Sequence, residues 1–556
     1  MEKLLRRLYE PGVKRNVSIP SSLTLPALLA DSAHKYSEQT MTVFGGMQLT
    51  YSQVDSMVDM FAAGLQSLGI ERGDRVVISL PTSPHFIISL FGILRYGAIA
   101  VPANPLLKGQ DLLHILKDSG ATVMIAMDQV VPLVSQIKTH TSLKSVIVTD
   151  LQEPLPQFAM HSDGMADDQQ KAVNPHNADS SPVIPFASLL QNPGNYPDVE
   201  LKATDIALLQ YTGGTTGIPK GAILTHQNLV ANVYQVEEWI INVKVQPEIF
   251  MCALPFFHVF GFTCTLTIPI NRGATMILIP QFKPKSVLDA IGYYKATHFV
   301  GVPAYYATMG KVLASGEYDI SSLKLCISGG DYLPAEIKAE FERLSPVKIT
   351  SGYGSSESSG VSVARTVSGQ VFADNVLGIP IPNTKIKVID LETSKEAPSG
   401  GIGELVIKGP QIMQGYWGYT ADGEDVFIDG YLRTGDLVFE KDGILHFVDR
   451  AKDMFNVAGE NVYPSEVEKV LLSNPLIKEA VVFGKEHPIK GMVAVAAVIL
   501  AAGAVIKEKE LLSFARKEIA TFKCSMVKIV DGEELPRTPL GKVSRALVKT
   551  LFQEPN

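Results

Sequence analysis

The chain has 556 residues, with 49 Lys and Arg against 57 Asp and Glu, giving a formal charge of −8. With 46% hydrophobic and 19% charged residues it is too apolar to be disordered, and its length suits about three or four domain-sized units. The mild acidity gives no support for a nucleic-acid partner, and four cysteines (Cys252, Cys264, Cys326, Cys524) without a CxxC pair exclude a disulfide framework.

The N-terminus, MEKLLRRLYEPGVKRN, carries positive charge but no uninterrupted apolar run behind it, so a cytoplasmic location is expected. From residue 22 to 148, helical and strand patterns alternate. The amphipathic run VDSMVDMFAAGLQSLGI precedes a Val/Ile-rich strand opened by Asp74 and Arg75. Helix HFIISLFGILRYG, strand IAVPA, helix LLKGQDLLHILKDSG and strand ATVMIA follow. This order predicts a parallel sheet with helices on its faces. Residues 150–200, rich in Asp, Gln, Asn, Pro and Ser, read as a long surface connection.

Two charge-free stretches are long enough to test as membrane spans. Pro81, Pro84 and His85 interrupt residues 76–94, while Pro255, His258, Gly261 and Pro269 interrupt residues 249–271. Neither has clustered basic residues at one flank. Both are expected to be buried strands or a pocket wall, with no transmembrane span and at most peripheral membrane contact.

Strand and helix patterns continue from 204 to about 450. A compact α+β pattern then runs to the end: helix SEVEKVLLSNP, strand EAVVFGK, strand MVAVAAVIL and helix KEKELLSFARKEIA. The fold class is therefore α/β. A large, multi-subdomain N-terminal body (1–450), with mainly parallel sheets flanked by helices, carries a small α+β C-terminal domain (451–556).

The most informative segment is 211–226, YTGGTTGIPKGAILTH. Residues 211–220 hold three glycines, three threonines and one lysine. Glycines let backbone N–H groups turn toward an anion, hydroxyls add donors, and lysine adds charge. It is not a Walker A loop, because Lys220 follows Pro219 and Gly221 stands where Ser or Thr would. Flanking runs DIALLQY and GAILT both look like strands, so the loop joins two strands. No HExxH motif or Cys/His cluster appears among the eleven histidines, and no GxSxG motif supplies a serine nucleophile.

This loop resembles that of the acyl-adenylate-forming superfamily, which includes acyl-CoA synthetases, luciferases and peptide-synthetase adenylation domains. Gly213 replaces the usual serine, a variant associated with bacterial long-chain fatty-acid–CoA ligases. The resemblance covers nearly the whole chain. It implies that Thr212, Gly213, Gly214, Thr215, Thr216 and Lys220 grip phosphates. It places His258, in PFFHVFGF, at the mouth of an acyl pocket. Gly329 and Gly330 (SGGD), with Gly352, Tyr353 and Ser356 (SGYGSSE), would hold adenine and the α-phosphate, while Glu357 and Thr216 would bind Mg²⁺. Asp436 in YLRTGD would accept the ribose hydroxyls, and Arg450 would reach ribose and phosphates. Lys452 matches the hinge of a mobile C-terminal domain. Gly459 in AGENVYP would meet the pantetheine of CoA, and Lys542 in PRTPLGKVSR would be the adenylation lysine.

The activity so implied is that of an acyl-CoA synthetase. ATP and a fatty acid give acyl-AMP and pyrophosphate, then CoA gives acyl-CoA and AMP, with domain rotation between the two steps. The alternatives are an aryl-acid–CoA ligase or an acyl-AMP ligase serving a carrier protein. Fourteen residues follow Lys542, so a fused carrier module is not expected. The expected partners are a small carboxylic acid, ATP and CoA, with the protein a monomer or homodimer.

Overall fold

The computed structural model describes residues 7–151, 155, 183–197, 199–212, 219–367, 376–419, 426–457, 460–487, 491–532, 534–537 and 543–552. The chain divides into two compact units. One is Met1–Lys385 with Ile407–Leu432, and the other is Ile386–Val406 with Arg433–Asn556.

The first unit contains two sheets. One has seven strands in the order Val183–Pro185, Ser145–Thr149, Val123–Met127, Arg75–Ser79, Ile99–Pro102, Ile206–Thr212 and Lys220–Thr225. Every pairing is parallel except the last, an antiparallel hairpin. These strands are almost continuously apolar, as parallel strands covered on both faces must be. Helix Pro84–Arg95 is buried along nearly its whole length, which accounts for the charge-free stretch 76–94 without a membrane. Among the described residues no helix is long and apolar enough to cross one.

The second sheet runs Ile349–Tyr353, Leu325–Gly329, His298–Gly301, Ile249–Cys252, Thr275–Leu278 and Thr40–Phe44, all parallel to their neighbours. Its core includes Met251, Phe299, Tyr306 and Phe341, all closed to solvent. Parallel strands bring their carboxyl ends to one edge, where α/β sheets bind ligands. Gly301, Gly329 and Tyr353 all end strands there.

Two expectations need correction. Within 150–200, the short apolar run after the polar tract is structured. Val183–Pro185 pairs with Ser145–Thr149, and the following turn buries Phe186 against the Phe61 ring at 4.9 Å. The stretch 249–271 is strand only at Ile249–Cys252. It is then helical through Val259–Gly261, a π-helical Phe262–Thr267, and Ile268–Arg272. Pro269 has no N–H for the Thr265 carbonyl four residues back. The Cys252 thiol donates to that oxygen at 3.1 Å, and the proline falls in the first turn of Ile268–Arg272, directly after the π-helical turn.

In the second unit, strands Lys385–Ile389, Gly403–Lys408, Tyr431–Lys441 and Ile444–Arg450 lie side by side. Beyond them, Ile477–His487, Gly491–Leu500 and Met526–Ile529 form a three-stranded sheet. Helices Pro464–Leu472 and Glu508–Glu518 cover it, with Val467, Leu471, Leu511 and Ala515 in the core.

Candidate active site

Strands Ile206–Thr212 and Lys220–Thr225 are the stems of the glycine–threonine loop, with Thr212 opposite Lys220. The loop therefore joins two strands, as its flanks predicted. Residues 213–218, with Gly213, Gly214, Thr215 and Thr216, lie outside the described residues. Helix Gly109–Ser119 fastens both stems. On one, the Tyr211 hydroxyl donates to Asp118 Oδ2 at 2.6 Å; on the other, His114 Nε2 meets the Pro219 carbonyl at 2.7 Å. A carbonyl only accepts, so His114 carries its proton on Nε2. Burial first, and then the Asp118 carboxylate, push the Tyr211 hydroxyl up in pKa, which keeps it a donor.

At the carboxyl edge of the second sheet, Gly329 lies opposite Gly352. A Cβ on Gly329 would stand 2.7 Å from Phe260 Cζ and 3.1 Å from the Gly352 carbonyl, so the Phe260 ring packs onto bare backbone. Phe260 belongs to the segment PFFHVFGF, in which Phe256 and Phe262 are also fully buried. Gln210 Nε2 donates to the Phe257 carbonyl at 3.0 Å, tying the phosphate-loop stem to the same apolar segment. His258 is half-buried there, and its Nδ1 accepts the Phe260 N–H at 3.2 Å. Gly330 follows in the left-handed region, φ +78°, turning the chain away from the edge.

Strand Ile349–Tyr353 leads into a tight turn. A Cβ on Gly354 would lie 2.0 Å from the Gly360 carbonyl, so no other residue fits that turn undistorted. Ser356 and Glu357 occupy a short 3₁₀ turn. Thr263 Oγ1 donates to the Ser359 carbonyl at 2.7 Å, joining this turn to the apolar segment. Glu357 is held at two points: its carbonyl accepts from Met413 N–H at 2.8 Å, and its Oε1 from the Tyr416 hydroxyl at 2.7 Å. The Lys220 ammonium stands 5.4 Å from the Tyr416 ring centroid and 4.8 Å from that of Tyr419. Lys220, Glu357, the glycine pair and His258 thus belong to one connected set within the first unit.

Asp436, Arg450 and Lys452 lie in the second unit. Asp436 and Arg450 face each other across an antiparallel pair, with Oδ1 and Nε 3.4 Å apart. Buried Glu404 steadies the YLRTGD strand by accepting from Arg433 Nε and Nη2, at 2.9 and 2.7 Å, and from Gly435 N–H at 2.9 Å. Loss of solvent, then the Arg450 charge, pull Lys452 below the usual lysine range. Gly459 and Lys542 are outside the described residues; the residues flanking each are β-paired. Val457 pairs with Glu460, and Arg537 bridges Val543. Arg545 ties this C-terminal motif to the DRAKD segment through Asp453 at 2.6 Å and to helix Pro464–Leu472 through Glu468 at 2.8 Å.

Sequence reasoning missed His114, Asp118, Tyr416 and Asn228. Asn228 holds the segment before Tyr416 by donating to the carbonyls of Pro410 and Ile412 at 2.8 and 2.9 Å. Only Tyr416 carried any signal, as part of the aromatic cluster YWGY beside glycines.

Known families and proteins match this chain throughout. The AMP-binding enzyme family matches residues 29–417, and the AMP-binding enzyme C-terminal domain matches residues 466–542. A long-chain-fatty-acid–CoA ligase of Bacillus subtilis (strain 168) is 35% identical over 545 residues, covering 97% of this chain and 96% of that protein. One from Salmonella typhimurium is 32% identical, covering 98% and 97%. The crystal structure of the anthranilate CoA ligase AuaEII in complex with anthranoyl-AMP superposes with a TM-score of 0.80 at 25% identity, covering 96% and 98%. The chain therefore belongs to the AMP-binding enzyme family, in its ATP-dependent acid–CoA ligase branch, with CoA as co-substrate.

Proposed function

We propose that the protein is a fatty-acid–CoA ligase acting on medium- or long-chain acids. The observation that carries this reading is the phenylalanine wall beside the glycine edge, where Phe260 packs directly on Gly329. An alkyl chain led away from an adenylate at that edge would meet apolar surface at once. The names of the two bacterial relatives point the same way.

In the first step a carboxylate oxygen attacks the α-phosphorus of ATP. The bond from that phosphorus to the oxygen bridging the β-phosphate breaks, and pyrophosphate leaves. An anion approaches a polyanion, so the residues must position and neutralise rather than supply a nucleophile. Lys220 and the hydroxyls of Thr212, Thr215 and Thr216 would take phosphate oxygens. Gly329, Gly330, Gly352, Tyr353 and Ser356 would seat the nucleotide, with Asp436 on the ribose. His258 would stand by the reacting carboxylate, and Arg450 and Lys542 would add charge. Among the described residues no three His, Cys, Asp or Glu cluster around a metal position, so Glu357 would supply a carboxylate to a site completed by the nucleotide. That suits Mg²⁺, which takes one or two carboxylates plus phosphate oxygens. Glu357 and Thr216 would hold it, and it would neutralise phosphate charge.

In the second step the CoA sulfur attacks the acyl carbonyl, the carbon–oxygen bond to AMP breaks, and the thiol proton leaves to solvent or phosphate. Gly459 would let the pantetheine pass. Lys542 and Gly459 both follow Lys452, so turning a domain of residues 451–556 about Lys452 would present first one and then the other.

AMP release with CoA, measured across straight-chain acids from acetate to stearate plus benzoate and cinnamate, tests the reading. Highest kcat/KM on a medium or long alkyl acid is expected. A preference for aryl acids, which similarity to the anthranilate ligase favours, would replace fatty acid with aryl acid. No acid-stimulated AMP would end the ligase reading.

A further inference from the structure

Tyr416 touches the two oppositely charged groups that this reading assigns to the polyphosphate and its cation. Its hydroxyl is bonded to Glu357 Oε1 at 2.7 Å, and its ring carries the Lys220 ammonium at 5.4 Å from the centroid. Its backbone is fixed with unusual redundancy. Tyr416 bridges Ala222, two residues along the strand from Lys220. Trp417 N–H donates to Gly221, Ile223 N–H to Gly415 and Gln414 N–H to Ile223, at 2.8, 2.9 and 3.0 Å. Met413 N–H reaches the Glu357 backbone. The tyrosine is thus held by the strand that bears Lys220 and by the turn that bears Glu357.

A carboxylate and an ammonium placed for a cation–polyphosphate pair share a difficulty: before the ligand arrives they attract each other. A tyrosine that hydrogen-bonds the carboxylate and turns its ring to the ammonium gives each an alternative partner, a task it shares on the Lys220 side with the Tyr419 ring at 4.8 Å. Its hydroxyl engages one carboxylate oxygen and fixes that group's orientation, while its ring face stabilises the ammonium without neutralising it. We propose that Tyr416 is a positioning residue for nucleotide binding, keeping Glu357 aimed at the divalent cation and Lys220 at the phosphates. The role rests on the ATP-dependent reading above and assigns no chemistry to the phenol itself.

The test is ATP binding by calorimetry, without acid or CoA, in Mg²⁺ and in EDTA, for the wild type, Tyr416→Phe and Tyr416→Leu. In the wild type Mg²⁺ should tighten ATP binding. Tyr416→Phe keeps the ring and should match the wild type in EDTA, yet lose about tenfold or more of the Mg²⁺-dependent gain, the worth of one bond to a carboxylate. Its KM for ATP should rise while kcat changes less. Tyr416→Leu should weaken ATP binding in both conditions. If Tyr416→Phe keeps the full Mg²⁺ gain, the positioning role is wrong; the Phe variant decides the matter even if the Leu variant does not fold. If the wild type binds no ATP in either condition, the reading beneath it falls instead.

Discussion

Glu237 stands at the end of a helix with its Oε1 shut off from solvent and, among the described residues, without a hydrogen-bond partner. Its other oxygen accepts from Asn271 at 2.8 Å, while Glu248 nearby takes the Arg272 guanidinium as its own ion pair. Burial is the main reason its pKa is raised to about 7; Arg272 offsets this in part and Glu248 adds to it. The folded chain thus binds this proton more tightly than the unfolded chain does. The resulting stability is complete below the usual glutamate range near 4.5 and is lost as pH rises through about 7. Glu237→Gln should therefore match the wild type near pH 4 and exceed it by about 3 kcal/mol at pH 8, read from urea unfolding. A difference that does not change with pH would show that the carboxyl titrates normally.

At the scale of single elements, helix Gly109–Ser119 shows what composition and motif cannot reveal. Its sequence reads as an ordinary amphipathic helix, yet His114 and Asp118, one turn apart on one face, hold the two stems of the phosphate loop. Asp118→Ala would strip the Tyr211 hydroxyl of its charged acceptor. It should raise the KM for ATP in pyrophosphate exchange by about tenfold, in line with the loss of one charge-assisted bond. Thioester formation from pre-made acyl-AMP should change little. The loop itself was legible because its glycines, threonines and lysine have a meaning at any position. The clamp was not, because His and Asp on an exposed face are ordinary until the fold brings Pro219 and Tyr211 against them. Helices and strands from 51 to 127 followed their apolar periodicity closely. The helix through Pro269 did not, because it passes through a π-helical turn and a thiol contact from strand Ile249–Cys252 that no local pattern records.

At the scale of the molecule, the chain passes between its two units more than once, since Ile386–Val406 belongs to the second unit and Ile407–Leu432 to the first. Strand Gly403–Lys408 has Tyr431–Lys441 beside it, so removing everything after residue 430 would strip a partner from a segment left behind. Sequence reading placed one boundary near Lys452, where the motif character changes. Periodicity gives no sign of the earlier crossings, because a strand reads the same whichever unit it serves. Each unit has its own apolar core, and cores of this kind can melt separately.

Cys252, which reaches the Thr265 carbonyl, is one of four thiols that give the molecule an internal record of its own unfolding. All four thiols are buried, and burial raises each above the usual thiol range, Cys264 to about 12 and Cys524 to about 11. A thiol that is neither ionised nor reachable does not react with an alkylating reagent while the chain is folded. Cys252, Cys264 and Cys326 lie in the first unit and Cys524 in the second. Alkylation in graded urea, followed by peptide mapping, should therefore mark the opening of each unit through separate residues. The three body thiols should react together and Cys524 on its own schedule. Simultaneous labelling of all four would mean that the units open as one.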